Sequence, residues 1–236
     1  MTGFERFGEL ALDKVQPLIK KGIDQKELEK SVWDSIEGIP HKPIPLSLTK
    51  EELFYRDVFW YWGEIRKSLE NLEYVPIFIN SFRRSKAYRE ASITATIYLR
   101  YHIEHYLQEN YILLVRVRAF MNWLSRGFKK EGRTQESLFV SKLKKYFENV
   151  MNNLTLARVY HVHQARYDDN VLNVSTLFEI ASTSEDEKLK IGATLSYKRA
   201  KKEWSERIKK NNQDLKESLD TIFESLIPIV FPSVRE

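Results

Sequence analysis

The chain predicts an all-α protein, a bundle of long helices with an N-terminal helical appendage and a long C-terminal helix. Three observations lead there. Of 236 residues only 8 are glycine and 7 proline, too few breakers for a turn-rich β chain. Long stretches carry apolar residues at three- and four-residue steps, the period of one helix face. Several of these stretches open on Thr, Ser or Asp with Glu three residues later, the spacing of a capping box.

The elements follow in order. Residues 5–21 form a first helical pattern, interrupted by Pro17. Asp24 with Glu27 opens a second, running to about Glu37. Pro40, Pro43 and Pro45 within six positions exclude helix and make an extended strap. That strap divides an N-terminal appendage and linker, 1–48, from a helical-bundle domain, 49–236. Thr49 with Glu52 opens an aromatic-rich helix to about Leu72, and Pro76 is expected to break the pattern. From Ser85 to Phe128 there is no proline, and no glycine until Gly127. Ile93, Ile97, Tyr101, Tyr111, Leu114 and Met121 keep helical spacing across it, as one very long helix or two nearly collinear ones. Gly132 supplies a turn, and a further helix runs from about Gln135 to Tyr167. Asp168 or Asp169 caps a short helix to about Ala181, and Ser184 with Glu187 opens the last one, ending before Pro228. There is no internal repeat and no low-complexity tract.

Composition narrows the function classes. Hydrophobic residues make up 42% and charged residues 30%, ordinary for a globular protein with its own core. With no cysteine, disulfides and thiolate metal sites are excluded and a reducing, cytoplasmic setting is expected. The first residues lack the basic and apolar regions of a secretory signal. No apolar run approaches the ~18 residues of a membrane span, so no membrane association is expected. A formal net charge of +5 permits an anionic partner such as RNA without requiring one.

Phe54, Tyr55, Phe59, Trp60, Tyr61 and Trp62 crowd the helix that starts at Thr49. Such rings face a core or an interface. A base-stacking platform would need them exposed beside cations, and only Arg56, Arg66 and Lys67 are close.

The densest chemistry lies at residues 157–170, Ala-Arg-Val-Tyr-His-Val-His-Gln-Ala-Arg-Tyr-Asp-Asp-Asn. Two arginines and two histidines fall between Arg158 and Arg166. Histidine titrates near neutral pH and moves protons. Arginine stays charged and forks onto phosphate oxygens. Arg158 and His163 are five residues apart, about 140° in projection and ~7.5 Å along one helix axis, so they do not touch on a straight helix. They could converge with the same residues of a second copy across a two-fold axis. The same helix is apolar on two sides, through Phe147, Val150, Met151, Leu154 and Ala157 on one and Leu156 and Val159 on another. A helix apolar on two sides must be covered on both, which points to a homodimer.

Arg158-Val159-Tyr160-His161-Val162-His163 resembles the R-x4-6-H signature of the HEPN superfamily. Gln164-Ala165-Arg166-Tyr167-Asp168-Asp169, with Leu172 beyond, is similar to a largely uncharacterised bacterial branch of it. The resemblance covers roughly residues 90–180. It implies a helical bundle dimerising with its motif helices together and, in active members, metal-independent RNA cleavage, as in toxin–antitoxin or defence systems. The catalytic roles would then fall to His163, moving a proton, and Arg158, stabilising phosphate charge. His161 and Arg166 become candidate RNA contacts. Glu109 and His105 are candidates to act through His163. No cofactor and no metal are implied.

Other readings stand beside this one. His161 continues the core stripe, and His163 can equally be a buried structural histidine. Arg166 can pair with Asp168 or Asp169 at the helix end. A non-catalytic interaction module would hold a cognate antitoxin or a nucleotidyltransferase-type partner through the aromatic helix. A third reading places a metal on His102, His105 and Glu109, which share a helix face. A carboxylate-bridged dimetal site wants Glu-x-x-His on two helices, and neither histidine has that glutamate. No phosphate-binding glycine loop and no nucleophile turn is present.

Overall fold

In the computed structural model, residues 1–22, 48–83, 85–163, 169–184 and 186–232 are described, with side chains throughout except at 19–22 and 153–163. Every regular element among them is a helix: α1 (Gly3–Gly22), α2 (Lys50–Asn80), α3 (Lys86–Glu90), α4 (Ala95–Lys130), α5 (Thr134–His163), α6 (Asn170–Ala181) and α7 (Glu187–Val230). The expected all-α class is what forms. The 24–37 helix and the proline strap lie outside the described residues.

The chain divides into two compact units, residues 1–64 with 220–236, and 65–219. In the first, α1 buries Phe4, Phe7, Ala11, Val15 and Leu18 along one face. Tyr55 and Val58 of α2 and Ile222, Phe223, Leu226 and Phe231 complete that core. Rings meet edge to face between Phe7 and Phe223, centroids 4.9 Å apart, and stack between Tyr55 and Phe231 at 5.8 Å. Asp220 Oδ1 accepts from the Phe4 amide at 3.1 Å, satisfying a donor the helix start leaves free. Trp62 donates its indole N–H to the Phe4 carbonyl. Most of the aromatic run therefore serves packing, with Trp60 left largely exposed.

That packing makes Gly8 sensitive. A Cβ there would lie 2.1 Å from Trp62 Cζ2. Glycine to alanine inside a helix normally gains about 1 kcal/mol. Overpacking a filled site costs about 1–3 kcal/mol, and this ring is pinned by its hydrogen bond. Gly8→Ala is expected to destabilise on balance, by up to about 2 kcal/mol, read as a lower urea midpoint; an unchanged or higher midpoint would mean the indole moves freely.

In the second unit, α4 contributes Leu99, Ile103, Tyr106, Leu107, Leu113, Leu114, Val117, Phe120, Met121 and Leu124 to the core. It packs on α5 and α6. The buried stripe runs two positions off the expected one at its start, because Ile97 and Tyr101 are exposed while Leu99 and Ile103 are buried. The stretch from Ser85 is two helices. Ser85 caps α3, Ser92 takes a left-handed turn (φ 55°), and Thr94 caps α4 by accepting from the Ile97 amide. Gly132 makes the predicted α4–α5 turn at φ 77°.

Local signals elsewhere are reproduced or corrected. Thr49 and Glu52 exchange both bonds of a capping box, 2.8 and 3.2 Å. The last helix is capped by Asp186 rather than Ser184: the Lys188 amide donates to Asp186 Oδ1 at 2.8 Å. It also runs past Pro228 to Val230. Pro76 does not end α2, which continues to Asn80. A proline removes the N–H that would reach the carbonyl four residues back, here Leu72. Asn212 of α7 donates its side-chain amide to that carbonyl at 3.0 Å, so the bond lost within the helix is replaced from outside it.

Candidate functional site

Helix α5 carries the motif. Arg158, His161 and His163 occupy its last two turns as helix; their side chains, and Arg166 altogether, lie outside the described residues. What the structure supplies is the frame. α4 and α5 run antiparallel in a fixed register, set by Ser125 with Ser141 (3.3 Å), Asn122 with Lys144 (3.0 Å) and Arg118 with Glu148 (2.6 Å). Each step back along α4 matches an equal step forward along α5. Continued to the end of α5, this register sets position 158 level with 108, 161 with 105, and 163 with 103. The motif turns of α5 are thus level with the α4 turns bearing His102, His105 and Glu109.

Those α4 residues have defined surroundings. Glu109 is buried and its Oε2 accepts from Asn71 Nδ2 of α2 at 3.3 Å. Asn110 beside it is buried, and its side-chain amide donates to the Tyr106 carbonyl at 2.8 Å. Tyr106 is fully buried, and that burial pushes its phenol up to about 12. The phenol therefore stays protonated. Tyr106, Glu109 and Asn110 of α4, with Asn71 of α2, place polar groups within this unit.

His102 sits among rings. Phe78 stacks on it at 5.3 Å, and Tyr98 and Tyr101 present edges at 4.4 and 5.3 Å. Its Nδ1 is buried and meets no hydrogen-bond partner. Burial holds its pKa below the ordinary histidine value, and the neighbouring His105 adds to the effect. The imidazole is therefore neutral at pH 7. Because the folded pKa is the lower one, the unfolded chain binds the proton first. This contribution to stability is present above about 6.5, the value of an unperturbed histidine, and is lost as pH falls from there through the lower folded value. Melting temperature is expected to fall between pH 7.5 and 5.5, and by less in His102→Phe. An equal fall in both would show the effect comes from other groups.

Among the described residues no three His, Asp or Glu side chains converge as metal ligands would. The grouping of His102, His105 and Glu109 on one α4 face does not bring their donor atoms to a common point: one imidazole lies among aromatic rings and the carboxylate is turned to Asn71.

Beyond the motif, Asp169 is buried and caps α6, with Oδ1 accepting from the Val171 and Leu172 amides at 3.1 and 3.0 Å. Its Oδ2 pairs with Arg207 of α7 at 3.1 Å, and that guanidinium lies over Trp204. The acidic residue that follows the motif is thereby anchored to α7, a partner the local sequence does not reveal. α6 is tied to α4 by Thr96–Ser175 (3.1 Å), Thr94–Glu179 (2.9 Å) and Arg100–Asn173 (3.1 Å).

No protein-family model, no curated protein and no solved structure matches this chain.

Proposed function

We propose that the chain is a HEPN-like protein that binds RNA and cleaves it without a metal ion, of the kind that acts as a toxin or in defence. The observation that carries this is an arginine and a histidine five residues apart, Arg158 and His163, at the end of a 30-residue helix. Two further features support it. The helix register sets those turns level with a buried carboxylate and two histidines of α4. The net charge of +5 favours a polyanionic partner.

RNA carries its own nucleophile. An imidazole takes the proton of a ribose 2′-hydroxyl, the oxygen attacks the adjacent phosphorus, and the bond to the 5′-oxygen breaks. A second imidazole, as imidazolium, returns a proton to that leaving oxygen. A guanidinium beside the phosphate holds the charge that grows on its non-bridging oxygens. Two copies of the motif would supply both proton carriers, His163 from each, and two arginines. Arg166 and His161 would extend the contact to neighbouring phosphates.

The test is incubation of the purified chain with RNA in excess chelator, followed by analysis of product ends. Cleavage leaving 2′,3′-cyclic phosphate and 5′-hydroxyl ends is expected. No cleavage in chelator, or cleavage only with added divalent metal, would refute the reading.

A further inference from the structure

The outer surface of the α6–α7 hairpin is apolar where a surface should be polar. α6 turns Ser175 and Glu179 toward α4, through the bonds given above, and buries Leu172 on the same side. Its opposite side carries Val174 and Leu177, flanked by Phe178 and Ile180. Leu177 and Ile180 are more than half exposed, Val174 and Phe178 more than a third. α7 lies directly beside it, since a Cβ on Gly192 would touch the Phe178 ring. α7 buries Ala200, Trp204 and Ile208, which turns Ile191 and Leu195 outward, one helical turn apart and each more than half exposed. All six side chains belong to the second compact unit.

We infer that this face is a two-fold contact with a second copy of the chain. The inference concerns association through this face alone and does not rest on the nucleolytic reading, which would bring two copies together at the α5 motif instead. Two arguments select the occupant. The first is area. The six side chains leave roughly 600 Å2 of apolar surface to water, the most an ordinary monomer shows. Two such faces together bury about 1,200 Å2, where specific interfaces begin.

The second argument is charge. A two-fold contact presents the same patch on both sides, so it must be self-complementary. Antiparallel α7 helices with Ile191 set against Leu195 of the second copy satisfy this. Glu187, at the hairpin tip, is then level with Lys198 and Arg199 of the second copy. Glu187 is about three-quarters exposed and, among the described residues, pairs with Lys190 of its own first turn; Lys198 is exposed, and Arg199 pairs with Glu203 of its own helix. Glu187 of each copy then meets Lys198 of the other, twice, around an aliphatic centre.

Sedimentation equilibrium of the full-length chain at tens of micromolar, with Leu195→Glu and Leu177→Glu, tests this. The wild type is expected at twice the chain mass. Each variant should be a monomer or dissociate at least 10-fold more readily, with helix content and melting behaviour of a folded chain, because both positions face outward. Glu187→Lys should weaken association, and Glu187→Lys combined with Lys198→Glu should restore it. A monomeric wild type, a dimer indifferent to Leu195→Glu, or charge reversals without effect would each overturn the inference.

Discussion

Arg158→Ala and His163→Ala are each expected to lose about 100-fold or more in RNA cleavage under chelator, while folding like the parent. A positioned proton carrier contributes about 100- to 10,000-fold, and one pre-set donor on a developing oxyanion about 100- to 1,000-fold. Arg158→Lys keeps the charge but not the planar fork, so it should recover only part of the rate. The double variant should be little worse than the worse single one, because groups acting on one transition state are not additive. Arg166→Ala should act mainly on RNA affinity, weakening binding with a flatter salt dependence. The informative comparison is with Arg126→Ala, an exposed cation of α4 outside the motif. If Arg126→Ala lowers cleavage as much as Arg158→Ala, general charge and not the motif is at work. If neither motif variant changes cleavage, the assignment of both residues falls.

Asn212→Ala is expected to lower the free energy of unfolding by about 2 kcal/mol, the cost of stranding a buried acceptor together with a lost amide bond. The acceptor is the Leu72 carbonyl, freed because Pro76 brings no N–H, and Asn212 reaches it at 3.0 Å from a sequence distance of 140 residues. Asn212 is buried, so water does not readily replace it. The decisive measurement is a double-mutant cycle with Pro76→Ala. Alanine at 76 restores the internal donor to Leu72, so Asn212→Ala should cost markedly less in that background. Equal costs in both backgrounds would mean that Asn212 stabilises by packing alone. Urea midpoints at constant slope read the effect directly.

The same pair shows where local reading stops. Thr49 with Glu52, Asp169 and Gly132 announce helix boundaries that form as expected, since a cap or a turn is settled by atoms within four residues. Pro76 announces a boundary that does not form, because the compensation comes from α7. A proline whose i−4 carbonyl falls at an apolar, core-facing position could have raised the question of a distant donor, but not named Asn212. Ser184 was displaced as cap by Asp186, two residues on, a choice between neighbouring oxygens that spacing alone does not make. In α4 the run Ile93, Ile97, Tyr101 has a perfect four-residue step, yet Ile97 and Tyr101 are exposed; periodicity marks a stripe without saying whether the stripe is buried.

For the candidate site, the residue types and their spacing are readable directly: an arginine and a histidine five apart near the end of a long helix. That α4 turns bearing Glu109 and His105 lie level with them follows only from the side-chain rungs between α4 and α5. That Glu109 is engaged by Asn71, and Asp169 by Arg207, follows only from contacts across 38 residues in each case.

Helical class, most helix starts and the motif itself were therefore written in the chain, because backbone bonding and capping are short-range and repeat every few residues. Which stripes are sealed, how Pro76 is accommodated and which apolar face is left for another molecule were decided by assembly. Those outcomes depend on which atoms arrive from far along the chain to occupy a donor, an acceptor or a surface, and no local spacing carries that information.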